Sequence, residues 1–136
     1  MTGQGGPVAE KEIVRTERAP TPFQGAPYNQ AVKAGGFVFV AGQVGVRPGE
    51  QQMVGASIAE QTEQVMQNVA AILEAAGSGM DRLVKTTVFL QSLDDFAGMN
   101  DVYARHVGEQ PPARSTFEVA KLPAGALVEI EAVAVL

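Results

Sequence analysis

One stretch near the C-terminus, Leu127-Val128-Glu129-Ile130-Glu131-Ala132-Val133-Ala134-Val135, constrains the fold more than any other part of the chain. Its period-two pattern and β-branched residues predict a strand. Val128, Ile130, Ala132 and Ala134 make one side, which is expected to pack on helices. Leu127, Glu129, Glu131, Val133 and Val135 make the other side, which is too apolar for open water. Something must cover it.

The rest of the chain supplies little for that purpose. Its 136 residues make one domain of ordinary size, expected over residues 12–136 behind a loose tail over residues 1–11. Two helices are predicted. The first is announced by Ser57 and Glu60, which fit a capping box. It continues with Ile58, Val65, Val69, Ile72, Leu73 and Ala76 at helical spacing and stops at Gly77. Gln61, Glu63, Gln64, Gln67, Asn68 and Glu74 are expected on its wet side. The second starts near Leu93 or Asp94, carries Phe96, Met99, Tyr103 and Val107 as its apolar stripe, and stops by Gly108. Four more strands are expected. They are a short edge strand at Ile13–Thr16, a continuous apolar strand at Phe37–Ala41 of the kind buried on both faces, Val84–Leu90, and Ser115–Val119. The order β-β-α-β-α-β-β gives an α+β fold with two helices on one face of a mixed sheet. The other face is expected to meet symmetry-related copies of the chain, which puts Glu129 and Glu131 at or near an interface. The charged fraction of 18%, against about 25% in average proteins, fits a surface partly covered by another subunit.

Composition removes several functions. The chain has no cysteine, which excludes disulfides, thiolate nucleophiles and cysteine metal sites. His106 is its one histidine, so no His cluster can hold a metal, and its place near the end of the second helix suits a structural surface residue. A net charge of −5 disfavours nucleic-acid binding by phosphate neutralisation. No apolar run approaches the roughly 18 residues needed to cross a bilayer, and the N-terminal residues lack the apolar core of a signal peptide. A cytoplasmic protein with no membrane partner is expected. Gly42-Gln43-Val44-Gly45 has neither dinucleotide-binding nor P-loop spacing.

Four residues could carry chemistry. Arg114 opens a strand after Pro111-Pro112-Ala113, and alternation puts Arg114, Thr116 and Glu118 on one face. An arginine on a partly covered sheet face needs an anionic partner, because its charge cannot be removed by deprotonation. That partner is either Glu118, Glu129 or Glu131 in a structural ion pair, or a carboxylate or phosphate ligand held by the guanidinium fork. Glu129 and Glu131, two residues apart, share a face. At an interface one of them could have a raised pKa suited to acid–base work; otherwise they are solvated edge charges or partners of Arg114. Tyr28 lies in the turn Ala26-Pro27-Tyr28-Asn29-Gln30, where a half-buried packing role competes with a functional hydroxyl.

Several blocks together resemble one known family. They are Pro27-Tyr28-Asn29-Gln30-Ala31, Phe39-Val40-Ala41-Gly42-Gln43, Val84-Lys85-Thr86-Thr87-Val88-Phe89-Leu90, the run from Pro112 to Pro123, and Val128-Glu129-Ile130-Glu131-Ala132. Their order and spacing are similar to those of the RidA/YjgF family of imine/enamine deaminases, over the chain from about Ile13 onward. The resemblance implies a chorismate-mutase-like fold assembled as a homotrimer with a cleft at each subunit boundary. It implies hydrolysis of 2-imino acids such as 2-iminopropanoate and 2-iminobutyrate to 2-keto acids and ammonia, without cofactor or metal. By the same resemblance Arg114 holds the substrate carboxylate, Glu129 positions the water, Tyr28 belongs to the site, and Asn100 and Thr116 contact substrate. Thr116 stands where many members have cysteine, Ala26 where a glycine is common and Ala41 where a serine is common. A non-enzymatic trimeric carboxylate-binding or chaperone-like module would use Arg114 equally well. A ribonuclease is disfavoured by the acidic balance.

Overall fold

The computed structural model describes residues 10–136, so residues 1–9 of the expected tail lie outside the described residues. Six strands and two helices follow in the order β1 (Glu12–Val14), β2 (Ala31–Ala34), β3 (Phe37–Gln43), α1 (Ile58–Ala75), β4 (Leu83–Leu90), α2 (Phe96–Val107), β5 (Ala113–Glu118) and β6 (Val128–Val135). They form one mixed sheet in the order β1-β2-β3-β6-β4-β5. β4 and β5 run parallel, joined by the α2 crossover, and every other pair is antiparallel. The fold is α+β, as the hydrophobic pattern requires. Among the described residues no helix is long and apolar enough to cross a membrane.

β2 is an addition to the expected order, which becomes β-β-β-α-β-α-β-β. Ala31-Val32-Lys33-Ala34 has too few large residues to announce a strand. It forms because Gly35 and Gly36, with φ of +60° and +85°, make a two-residue turn that folds it back on β3. β1 is correspondingly shifted to Glu12–Val14, where it pairs with β2.

The helices begin and end where their signals lie. Ser57 Oγ accepts from Glu60 N at 3.1 Å, and the Glu60 carboxylate accepts from Ser57 N at 3.3 Å. At the other end Gly77 takes φ +86°, and Ser78 N bonds Leu73 O at 2.8 Å, which closes a Schellman motif. α1 packs on β3 and β6 and against α2. His106 is partly buried rather than free on the surface: its Nε2 lies 2.8 Å from Glu63 Oε1 and ties the end of α2 to α1.

The two faces of the sheet differ as β6 foretells. Val128, Ile130, Ala132 and Ala134 are buried beneath the helices together with Val38, Val40, Val88 and Leu90. On the opposite face Phe39 is 47% exposed and Phe117 53%. β3 is therefore buried on one face only within a single copy, a correction to the expectation of two, because no element of the described chain lies over the second.

The polar side of α1 also departs from expectation. Glu63, Gln67 and Glu74 do reach solvent, but Gln61, Gln64 and Asn68 are buried, at 2%, 8% and 1% exposure. Gln61 and Asn68 bond the backbone that follows β3 and precedes β6, and Gln64 donates to the Asn68 side chain.

Candidate functional site

Arg114 is fixed by register. In the parallel β4–β5 pair it stands beside Thr86, with Thr116 beside Val88 and Glu118 beside Leu90. Thr86, Val88 and Leu90 are buried under the helices, so Arg114, Thr116 and Glu118 share the helix face. The alternation is as expected, but the face is not the open one. The guanidinium carbon lies 4.9 Å from the centroid of the Tyr103 ring and 5.5 Å from that of Phe96, both on α2. Tyr103 is held in turn by a 2.6 Å hydrogen bond between its hydroxyl and Thr86 Oγ1.

None of the expected acidic partners reaches Arg114. The ion pairs among the described residues are Arg18–Glu74, Lys33–Glu12, Arg47–Glu50 and His106–Glu63. Glu118, its neighbour on the same face, accepts instead from Leu93 N at 2.9 Å. Aromatic stacking orients the guanidinium, whose N–H fork has no acidic partner among the described residues. Asn100 follows Phe96 by one helical turn and precedes Tyr103 by another, and its Oδ1 is buried without a hydrogen-bond partner. Phe96 and Tyr103 read in the sequence as a packing stripe; their spacing with Asn100 on the helix that faces the arginine strand was the available signal.

Glu129 lies on the open face of β6, beside Phe89 of β4. Partial burial pushes its carboxyl above the usual carboxylate range, and the neighbouring Glu131 pushes the same way. Gly42 packs against it: a Cβ there would fall on the Glu129 carboxylate, 2.8 Å from Cδ and closer still to Oε2. The glycine therefore serves close approach of backbone to carboxylate, a role that sequence reading missed. Phe23, Tyr28, Ala41, Gly42, Val44, Pro123 and Glu129 line a cleft of about 310 Å³. The Tyr28 hydroxyl accepts from Phe23 N at 3.0 Å, which fixes the ring at the cleft wall. Two similar turns flank this cleft, Phe23–Gly25 and Pro123–Gly125, with Gln24 and Ala124 at φ +52° and +54° ahead of a glycine. A larger hollow of about 630 Å³ lies beyond Tyr28, between Arg15, Thr21 and Asn29, away from both charged groups.

The candidate residues thus fall into two sets. Arg114, Thr116 and Asn100 share the α2–β5 edge of the sheet. Glu129 and Tyr28 share the open-face cleft. Arg114 and Glu129 are not brought together within one copy, because β4 separates their strands and their side chains leave the sheet in opposite directions. Among the described residues no group of three or more His, Asp or Glu side chains could hold a metal ion.

Residues 16–136 match the family described as Endoribonuclease L-PSP. A RutC family protein of Pyrococcus horikoshii is 49% identical over 91% of this chain and 97% of its own length. The 2-iminobutanoate/2-iminopropanoate deaminase of Mus musculus is 38% identical over 92% of this chain and 91% of its own. Among solved structures, E. coli TdcF with bound serine superposes with a TM-score of 0.84 at 39% identity, over 92% of this chain and 98% of that one. The chain belongs to the RidA/YjgF family, the family that its sequence blocks resemble.

Proposed function

We propose that the protein hydrolyses reactive 2-imino acids and their enamine forms, 2-iminopropanoate and 2-iminobutyrate among them, to 2-keto acids and ammonia. The observation that supports this most is the division of the site. A stacked guanidinium with no acid partner lies at one edge of the sheet, and a carboxyl group of raised pKa lies on the opposite face. Each is half of a hydrolytic site. Copies joined through the open face, as a homotrimer with a cleft at each boundary, would set Arg114 of one copy against Glu129 and Tyr28 of the next. The mouse relative bears the name of this activity, and serine, bound in E. coli TdcF, has the carboxylate and size of such a substrate.

The chemistry follows from the groups. Arg114 takes the substrate carboxylate bidentately and thereby aims the adjacent imine carbon. The Asn100 oxygen, buried without a partner, accepts from an imine N–H in this reading, and the Thr116 hydroxyl on the Arg114 face completes the pocket. Water adds to the carbon while the Glu129 carboxylate takes one of its protons, and the carboxylic acid so formed passes that proton to nitrogen, which gives a carbinolamine and restores the carboxylate. Glu129 then takes the carbinolamine hydroxyl proton and delivers it to nitrogen as the C–N bond breaks and the C=O bond forms, so ammonia leaves and Glu129 is a carboxylate again. Burial that raises its pKa makes the Glu129 carboxylate a stronger base toward the attacking water.

A carboxylate-binding or chaperone-like module that performs no chemistry would keep Arg114 but gain nothing from a second carboxyl beside a bound anion. The test is a coupled assay with freshly generated 2-iminopropanoate and 2-iminobutyrate. The parent should accelerate keto-acid formation, and Glu129→Gln should bind a keto acid while losing turnover. A parent that binds keto acids but turns nothing over refutes hydrolysis and supports the module. The family description names an endoribonuclease, but a net charge of −5 gives phosphate no general attraction, and RNA cleavage is not proposed.

A further inference from the structure

The cleft around Glu129 is held from behind by side chains that the reaction never touches. Gln61 of α1 accepts from Leu127 N at 2.8 Å and donates to Gly55 O at 2.9 Å. Leu127 stands two residues before Glu129. Asn68, two turns further along α1, donates to Val44 O at 3.2 Å and Val46 O at 2.9 Å. Val44 lines the cleft and follows Gly42, the residue that packs on the Glu129 carboxylate. Gln64 donates to Asn68 Oδ1 at 2.9 Å, which turns the Asn68 amide so that its N–H groups face the carbonyls. The fit is close: a Cβ at Gly45 would stand 2.9 Å from the Gln61 backbone. One face of α1 therefore grips both walls of the cleft, the segment leaving β3 through Asn68 and the segment starting β6 through Gln61.

We infer that Gln61 and Asn68 are positioning residues that hold the Gly42 wall and the Glu129 wall of the cleft in register, so that α1 sets the place of the catalytic carboxyl. This rests on the hydrolytic reading of Glu129 but concerns residues which that reading does not use. Burial decides the matter physically. A buried amide that makes two bonds has one orientation, whereas an apolar side chain of the same size leaves the Leu127 N–H and the Gly55 carbonyl unpaired and free to seek water. The start of β6 then loosens, and Glu129 gains solvent without any change in its own side chain.

The test is Gln61→Met beside Gln61→Glu, each measured for kcat, KM, assembly state and the titration of the Glu129 carboxyl by ¹³C NMR. Gln61→Met keeps the volume and removes both bonds. Its kcat should fall on the order of 100-fold, the scale of a displacement of about 1 Å at the reacting groups. KM should stay near the parent value, because Arg114 lies on another part of the sheet. The Glu129 titration should move down toward the ordinary carboxylate range. Gln61→Glu introduces a buried acid whose neutral form can donate to Gly55 and accept from Leu127 as glutamine does. It should recover kcat and the Glu129 titration together while protonated and lose both as it ionises. A Gln61→Met protein that is less heat-stable but keeps parental kcat and Glu129 titration overturns the inference and leaves Gln61 a purely structural residue. If the parent itself hydrolyses no imine, the hydrolytic reading fails, and the Glu129 titration in Gln61→Met alone decides the positioning: a shift upholds it and no shift overturns it.

Discussion

Arg114 and Glu129 lie on opposite faces of one sheet, with β4 between the strands that carry them. Neither rotamer changes nor loop motion can join them within a copy, since each side chain is committed by the pleat to its own side. A guanidinium and a carboxyl that serve one substrate must then come from different copies.

That separation makes complementation the sharpest test of the site. Arg114→Ala and Glu129→Gln proteins should each be inactive alone. Unfolded together and reassembled, they should recover a fraction of parental activity, because some clefts receive an intact Arg114 from one copy and an intact Glu129 from another. A chain carrying both substitutions, mixed with the parent, should give no such gain. Reassembled mixtures of verified mixed subunit composition that stay inactive would show that each copy holds a self-sufficient site.

Gly42 gives a second prediction. Its backbone occupies the space that lets the Glu129 carboxylate lie against β3, and any Cβ there overlaps that carboxylate. Gly42→Ala should displace Glu129, cost about 1–3 kcal/mol through overpacking, and remove most of kcat. Denaturant unfolding and the imine assay check the two parts separately. Gly36→Ala tests a glycine needed for φ instead of space, since a Cβ there meets nothing within 4 Å. It should lose stability and keep kcat.

Much of this could be read in the sequence, for reasons that individual residues make plain. Alternation in β6 gives its two faces, because a period of two is a property of the strand itself. Ser57, Glu60 and Gly77 mark α1 because capping is local chemistry. Arg114 shows the limit. Alternation tells which residues share its face, but which face that is depends on the parallel register with Thr86, a contact between segments distant in sequence. Gln61, Gln64 and Asn68 fail for the same reason: amides on a helix look solvated until the backbone that Gln61 and Asn68 satisfy, and the Asn68 amide that Gln64 bonds, are known. Gly42 reads as the end of a strand until Glu129 is placed against it. The roles proposed for Arg114 and Glu129 come from the resemblance to a family; the register is what divides the two residues between two faces.

Two carboxyl groups give opposite pH signatures. Glu63 is held below the usual carboxylate range, first by its hydrogen bond with His106 and then by that with Gln67. Its contribution to stability is present above the unfolded pKa and is lost as pH falls through the lower folded value. His106→Ala should therefore cost about 0.5–1 kcal/mol near neutral pH, with the difference from the parent shrinking on the acid side. Glu129 is raised, chiefly by burial. Its contribution is full below the unfolded pKa and is lost as pH rises through the folded value, so Glu129→Gln should be more stable than the parent toward neutral pH. Unfolding at fixed protein concentration across both ranges reads both signs. Variants that track the parent at every pH would contradict them.

The open face carries the last prediction. Phe39 is 47% exposed at the middle of that face, and its ring centroid lies 6.2 Å from that of Phe37. Its cross-strand neighbours Val32 and Val133 hold a strand position that a polar residue can also occupy, so the fold of one copy loses little when the ring is removed. An assembly loses more. Each buried phenylalanine side chain is worth about 1.5–3 kcal/mol, and an aspartate there would bring a charge into a contact that the ring fills. Phe39→Asp should leave secondary structure and helix packing near those of the parent, shift the sedimenting species to the single chain, and abolish imine hydrolysis, although Phe39 lies in neither half-site. Activity should vanish in step with assembly as protein concentration falls, because the proposed site needs a second copy to bring a Glu129 to Arg114. A Phe39→Asp protein that sediments as a single chain and still turns over imines at the parental rate would refute the divided site.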